Sequence, residues 1–245
     1  MHAPRTARAR GAADGERLPR IGQAIGQVLS LAVGVALSPV PVIAVVLMLT
    51  TPSARTNGPA FIAGWILGVA GAGTILLLLA GGAQASTRGA PEEWVSFLKI
   101  GLGVLLLVIA ARQWRARPRA GEEPEMPSWM KTIDTFGAPK AAGTGVLLSA
   151  ANPKNLILIA GAAAAIAQTG TSSSGQAVAL AVFVVIATVG PGIPVGIYFL
   201  MRDRAAEILE GLRGWMARGN NTIMAVICII IAAKLIGDAI SSLSA

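Results

Sequence analysis

Six apolar runs, at residues 21–50, 58–84, 93–114, 140–167, 175–201 and 219–243, dominate this chain of 245 residues. At about 1.5 Å of rise per residue each can cross a hydrocarbon core of roughly 30 Å as a helix. A chain with 54% apolar and only 13% charged residues carries more hydrophobic surface than a soluble domain of its length can bury. Long continuous runs exclude the short alternating segments of a membrane β-barrel. The expected fold is therefore an all-α membrane protein of six transmembrane helices.

The polar residues divide the chain. Residues 1–20 are Arg-rich, without an apolar stripe, and read as a disordered basic tail. They do not read as a signal peptide, because the following run is too long and holds two prolines. Residues 21–114 form a first set of three helices and residues 140–245 a second. The segment 115–139 between them, with Pro118, Pro124, Pro127 and Pro139, is a linker. Three helices per half oblige the second half to enter the membrane from the side opposite the first, so halves of shared fold form an inverted repeat. Arg55, Arg112, Arg115, Arg117, Arg119, Lys131, Lys140, Arg202, Arg204, Arg213 and Arg218 fall on the linker side. The other side holds the tail arginines and Arg88. The positive-inside rule then places the linker in the cytoplasm and both termini outside. The net charge of +8 sits in these flanking loops and reads as topology signal and lipid contact, not as a nucleic-acid surface.

Functional classes narrow by what is missing. The lone Cys228 has no partner for dithiol electron transfer, and the lone His2 lies in the tail, so neither a metal cluster nor a His-based catalytic set can be assembled. No enzyme activity, cofactor or metal is expected.

The first run of each half is interrupted near its middle, by Ser38-Pro39-Val40-Pro41 and by Asn152-Pro153-Lys154-Asn155. Proline removes a helix donor and pushes the preceding residue out of the helical region, while Ser and Asn cap helix starts. Each motif thus reads as the end of one half-helix and the start of another, with free N–H groups aimed at the bilayer middle as a site for an anion or polar headgroup. Ordinary proline kinks are the alternative. Ser38, Pro39, Pro41, Asn152, Pro153, Lys154 and Asn155 are the candidate substrate-binding residues. Lys154, whose insertion costs about 2.5–3.5 kcal/mol, should face a cavity or a counter-charge unless it snorkels to the interface.

In the last run Lys234 and Asp238 stand four residues apart on one helix face, as a local ion pair or a coupling relay. Lys99 follows Glu92 and Glu93 and reads as interfacial. Gly64, Gly68 and Ala72 form a small-residue stripe for close helix contact. Gly190-Pro191-Gly192-Ile193-Pro194 is a weak point, as hinge or static kink.

The patterns SPVPVIAVVLMLTTPSARTNGPAFIAGWILG (residues 38–68) and SAANPKNLILIAGAAAAIAQ (residues 149–168) resemble the GAP family (sulfolipid-1-addressing protein-like) of the lysine exporter (LysE) superfamily. The resemblance covers the chain beyond the tail. It implies two inverted three-helix repeats with broken first and fourth helices, and a role in moving cell-envelope glycolipids or their precursors. Carried over, the implied site is Pro39, Pro41, Asn152, Pro153 and Lys154. Other branches export amino acids or metals or carry electrons; the single cysteine departs from the last. The expected function is transport of a polar or anionic envelope lipid across the plasma membrane. A small-solute exporter of amino-acid type and a non-transporting scaffold of a lipid-export complex are the alternatives. Expected partners are membrane lipids, the envelope lipid or a small polar solute, a lipid-export or synthesis complex, and further copies of the chain, with no nucleic acid.

Overall fold

The computed structural model describes residues 5–86, 93–117, 132, 133, 135–201 and 204–244. Most of the expected linker lies outside them, as do His2, Arg88 and Arg202. Among the described residues the secondary structure is helical throughout: α1 (Arg5–Ala36), α2 (Pro39–Leu49), α3 (Ala54–Ser86), α4 (Glu93–Arg115), α5 (Ala138–Val146), a π-helical turn (Leu147–Ala151), α6 (Pro153–Gln168), α7 (Ser173–Met201) and α8 (Ala205–Leu243).

Four stretches are long and apolar enough to cross a membrane unbroken: Ala54–Gly81, Ser96–Arg115, Ser173–Met201 and Ala205–Leu243. Two further pairs pass the same test together but bend, Ile21–Ala36 with Pro39–Leu49 by 51° and Ala138–Ala151 with Pro153–Gln168 by 63°. The bends fall at the two proline motifs. Large apolar side chains point outward along the spans, Leu78 at 70% and Leu200 at 84% exposure among them. Such a surface is stable only against lipid, so the chain is a multi-pass membrane protein.

Inside, Leu31, Met48, Phe61, Trp65, Leu106, Leu158 and Phe183 are buried in one core. Trp65 donates its indole N–H to the carbonyl of Ala187 at 3.2 Å, answering the one polar atom such a side chain brings into the core. Glycines set how closely the helices approach. A Cβ on Gly64 would lie 1.9 Å from the carbonyl oxygen of Ala142, and one on Gly68 would lie 2.0 Å from Ser149 Oγ, so the small-residue stripe is where α3 meets α5 and the π turn.

One expectation changes, that for Lys99. Helix α1 begins at Arg5, within the segment read as a basic tail. Helix α7 runs without a break in its helical assignment through Pro191 and Pro194. Gly190 brings α7 onto α1 instead of forming a gap, since a Cβ there would sit 1.8 Å from the Ala36 carbonyl oxygen. Lys99 is 5% exposed and packs within the protein instead of lying among headgroups.

The glycine contacts make a direct test. Gly64→Ala and Gly190→Ala each push a methyl into backbone and should destabilise the detergent-solubilised protein by about 1–3 kcal/mol. Gly71→Ala, with nothing within 4 Å of the added carbon, should not lower the thermal midpoint. Thermal unfolding followed by circular dichroism distinguishes them, and equal midpoints for all three variants would refute the packing.

Candidate functional site

The two breaks meet. Ser38, which caps α2, and Asn152, which caps α6, adopt the extended conformations that a following proline demands, with φ −84° and ψ 109° and with φ −71° and ψ 119°. From α6 the side chain of Lys154 crosses to the end of α1. Its Nζ donates to the carbonyl oxygen of Gly34 at 2.7 Å and to Ser38 Oγ at 2.7 Å. Lys154 and Ser38 are each 2% exposed, so the contact is almost wholly enclosed by protein.

Helix geometry explains why that carbonyl is available. At the break Leu37 N bonds Val33 O and Ser38 N bonds Val35 O, which passes over the carbonyl of Gly34. The last carbonyls of any helix lack an intrahelical partner and carry the negative end of its dipole. A buried ammonium is an apt partner, since it brings charge of the right sign and three donors on a long stem. Ser38 Oγ has two acceptors in reach of its single proton, the carbonyl of Val35 at 2.7 Å and Asn155 Oδ1 at 3.0 Å. Asn155, fully buried, donates its Nδ2 to the carbonyl of Leu148 at 3.1 Å. Leu148 lies in the π turn, where the widened helix frees carbonyls. One network thus joins α1, the cap of α2, the π turn and α6.

The prolines remove part of the amides expected at the two helix starts. Pro39 and Pro41 have no N–H to offer in the first turn of α2, and Ser38 N is bonded within the break. In α6 Pro153 lacks a donor and the amide of Lys154 is capped by Asn152 Oδ1 at 3.1 Å. The motifs that break the helices also remove some of the donors that a helix start would present. Positive charge here comes from side chains.

Two cavities flank the network. One, of about 450 Å³, is lined by Arg112, Gln113, Asn152, Pro153, Lys154 and Asn220 together with apolar walls that include Val40, Leu148 and Met224. The other, of about 400 Å³, is a nearly wholly apolar groove between α1 and α8, lined by Leu29, Val33, Gly34, Leu37, Ile227, Ile230 and Ile231 and reaching Ser30 and Lys234. Lys234 pairs with Asp238 at 2.6 Å, with the two side chains 32% and 44% exposed. This pair stands apart from the Lys154 network.

Sequence reasoning singled out Ser38, Lys154 and Asn155, which the structure brings together, and Asn152, Pro153, Pro39 and Pro41, which shape the two starts. It missed Gly34, Val35 and Leu148, whose contribution is a backbone carbonyl. A signal existed for the first two: a proline break leaves unpaired carbonyls in the turn before it. Arg112 reads in the sequence as a topology charge or, with the residues up to Arg119, as a docking surface under the scaffold alternative, and Asn220 and Gln113 lie at the polar edges of apolar runs.

A buried network at the crossing of two broken helices, inside a lipid-facing bundle, defines a polytopic membrane protein with a polar centre. Residues 28–241 match the family described as Sap, sulfolipid-1-addressing protein (SfLAP), and the chain belongs to that family. Neither the curated proteins nor the solved structures contain a match.

The Lys154 contact is testable by a double-mutant cycle. Lys154→Met and Ser38→Ala should each destabilise the protein, by about 1–3 kcal/mol, because each leaves a buried polar group unanswered. Their combination should fall short of the sum by about 1 kcal/mol. Strict additivity in denaturant unfolding would mean that the two side chains do not interact.

Proposed function

We propose that this chain moves a polar or anionic cell-envelope lipid, or its precursor, across the plasma membrane, as a member of the lysine exporter superfamily. In this reading the two bent pairs are single spans. With the four unbroken helices they make six, arranged as two inverted three-helix repeats. The termini lie outside and the linker in the cytoplasm, as the loop charges indicate. The chain performs no covalent chemistry, and it works beside the proteins that make or export the lipid.

One observation carries the proposal: a cavity that holds Arg112, Gln113, Asn152 and Asn220 among apolar walls is also lined by Lys154, where the two broken helices meet. A buried cation on the wall of an open cavity marks the path of a polar or charged cargo. Two further facts support it. The family is described by a sulfolipid, and an apolar groove stands open beside the same crossing, so a cargo with a hydrocarbon chain can keep that chain out of the polar cavity.

Reconstitution tests it. Liposomes containing the purified protein are assayed in parallel for movement of a fluorescent anionic glycolipid between leaflets and for amino-acid efflux, under a proton gradient. The lipid signal should appear with wild type and fall at least about tenfold in Lys154→Ala, with equal protein incorporated. Efflux of amino acid without lipid movement would replace the cargo by a small solute. Full lipid movement by Lys154→Ala would remove the crossing from the pathway.

A further inference from the structure

The two cavities follow one another along one face of α8. Asn220 and Met224 wall the polar cavity, and Ile227, Ile231 and Lys234 wall the apolar groove. Their spacing of four, three, four and three residues keeps all five on a single helical stripe. From Asn220 to Lys234 the stripe is about 21 Å long, which accommodates a headgroup and the roughly 15 Å of hydrocarbon in one leaflet. The facing wall has the same order: Leu37 belongs to the groove, Val40 to the polar cavity, and Ser38 stands between them.

The ends differ in chemistry. At the polar end Arg112 supplies a guanidinium and Gln113 an amide, beside the start of α6. Asn220 Oδ1 is buried there without a hydrogen-bond partner among the described residues, an acceptor that a hydroxyl group would satisfy. At the other end the surface is apolar apart from Ser30 and Lys234, and Leu29, Val33, Leu37 and Ile230 are open to the surroundings.

We propose that this stripe is a binding site for one molecule of an anionic, hydroxyl-bearing lipid, its headgroup between Arg112, Gln113 and Asn220 and one acyl chain in the α1–α8 groove. The anion pairs with Arg112, and a headgroup hydroxyl donates to Asn220. The acyl chain covers Ile227 and Ile230. The site adjoins the Lys154 crossing, which lines the same cavity and whose ammonium is held by protein acceptors. It deepens the transport reading and rests on it for its biological meaning, while its occupancy is measurable without any transport.

The full-length protein, stripped of lipid in detergent, is titrated with dioleoyl phosphatidylglycerol, with dioleoyl phosphatidylcholine and with glycerol phosphate, and occupancy is read by native mass spectrometry. Wild type should bind the glycerol lipid about tenfold more tightly than the choline lipid. Arg112→Gln should abolish that preference and leave choline-lipid binding unchanged. Ile230→Trp, which fills the groove from an exposed position, should weaken both lipids about tenfold, and Val33→Trp on the facing helix should repeat the effect. Glycerol phosphate should not compete. Displacement of the lipid by glycerol phosphate would reduce the site to a headgroup subsite and overturn the proposal. Wild-type binding by both tryptophan variants, or an unchanged preference in Arg112→Gln, would overturn it too. Loss of the preference in Arg112→Gln while wild type moves no lipid in liposomes would support the site and sink the transport reading instead.

Discussion

The ammonium of Lys154 on the carbonyl of Gly34 holds the centre of this protein together. A lysine buried within a membrane bundle is stable only where its charge is answered, and hydrogen bonds to charged groups contribute about 1.5–3 kcal/mol each. The end of α1 supplies the answer through an exposed carbonyl and the negative end of a helix dipole. The same bond satisfies the orphan carbonyl, so each partner removes the other's penalty. Because Lys154 belongs to the second half of the chain and Gly34 to the first, the bond also fixes how the two halves meet.

The two halves do unequal work at that point. Set side by side, Ser38-Pro39-Val40-Pro41 and Asn152-Pro153-Lys154-Asn155 share a capping residue and a proline. Val40 stands where the second motif has Lys154, and Pro41 where it has Asn155. The first motif therefore contributes a hydroxyl and the backbone carbonyls of the turn before it, while the second contributes the ammonium and the amide that reach across. The prolines that create unpaired carbonyls also delete some of the amides that would have made each helix start attractive to an anion. Polar character at the crossing consequently belongs to side chains of α6, to the Ser38 hydroxyl and to main chain of α1 and the π turn.

Much of this was legible in the sequence. Proline motifs at corresponding places of two halves locate the bends, and a lysine deep in an apolar run points to a buried polar centre. What stayed hidden has physical causes. A residue that contributes only its carbonyl, as Gly34 does, leaves no trace in side-chain chemistry. A hydropathy run starts the last helix at residue 219, yet α8 begins at Ala205, because its first turns are amphipathic and bury Ala205, Leu209 and Met216 on one side. Gly190-Pro191 reads as a weak point when only local propensity is considered. In the fold the missing side chain of Gly190 is what lets α7 rest against the carbonyl of Ala36. Lys99 reads as interfacial from its acidic neighbours, whereas burial is decided by helix packing that no local window contains.

The acceptors chosen for Lys154 bear on how such a centre can act. A carbonyl and a hydroxyl are neutral dipoles, and they hold the ammonium without cancelling its charge. An ammonium already makes charge-assisted bonds with neutral acceptors, and an oxyanion adds to them the attraction of opposite charges. In a low-dielectric interior an anionic group that reaches the polar cavity therefore competes for the ammonium on better terms than Gly34 and Ser38 do. A carboxylate in their place would have formed a closed pair with nothing left to offer. Under the proposed transport reading, such a network holds the two bends together and can still exchange its acceptors for those of an arriving anion.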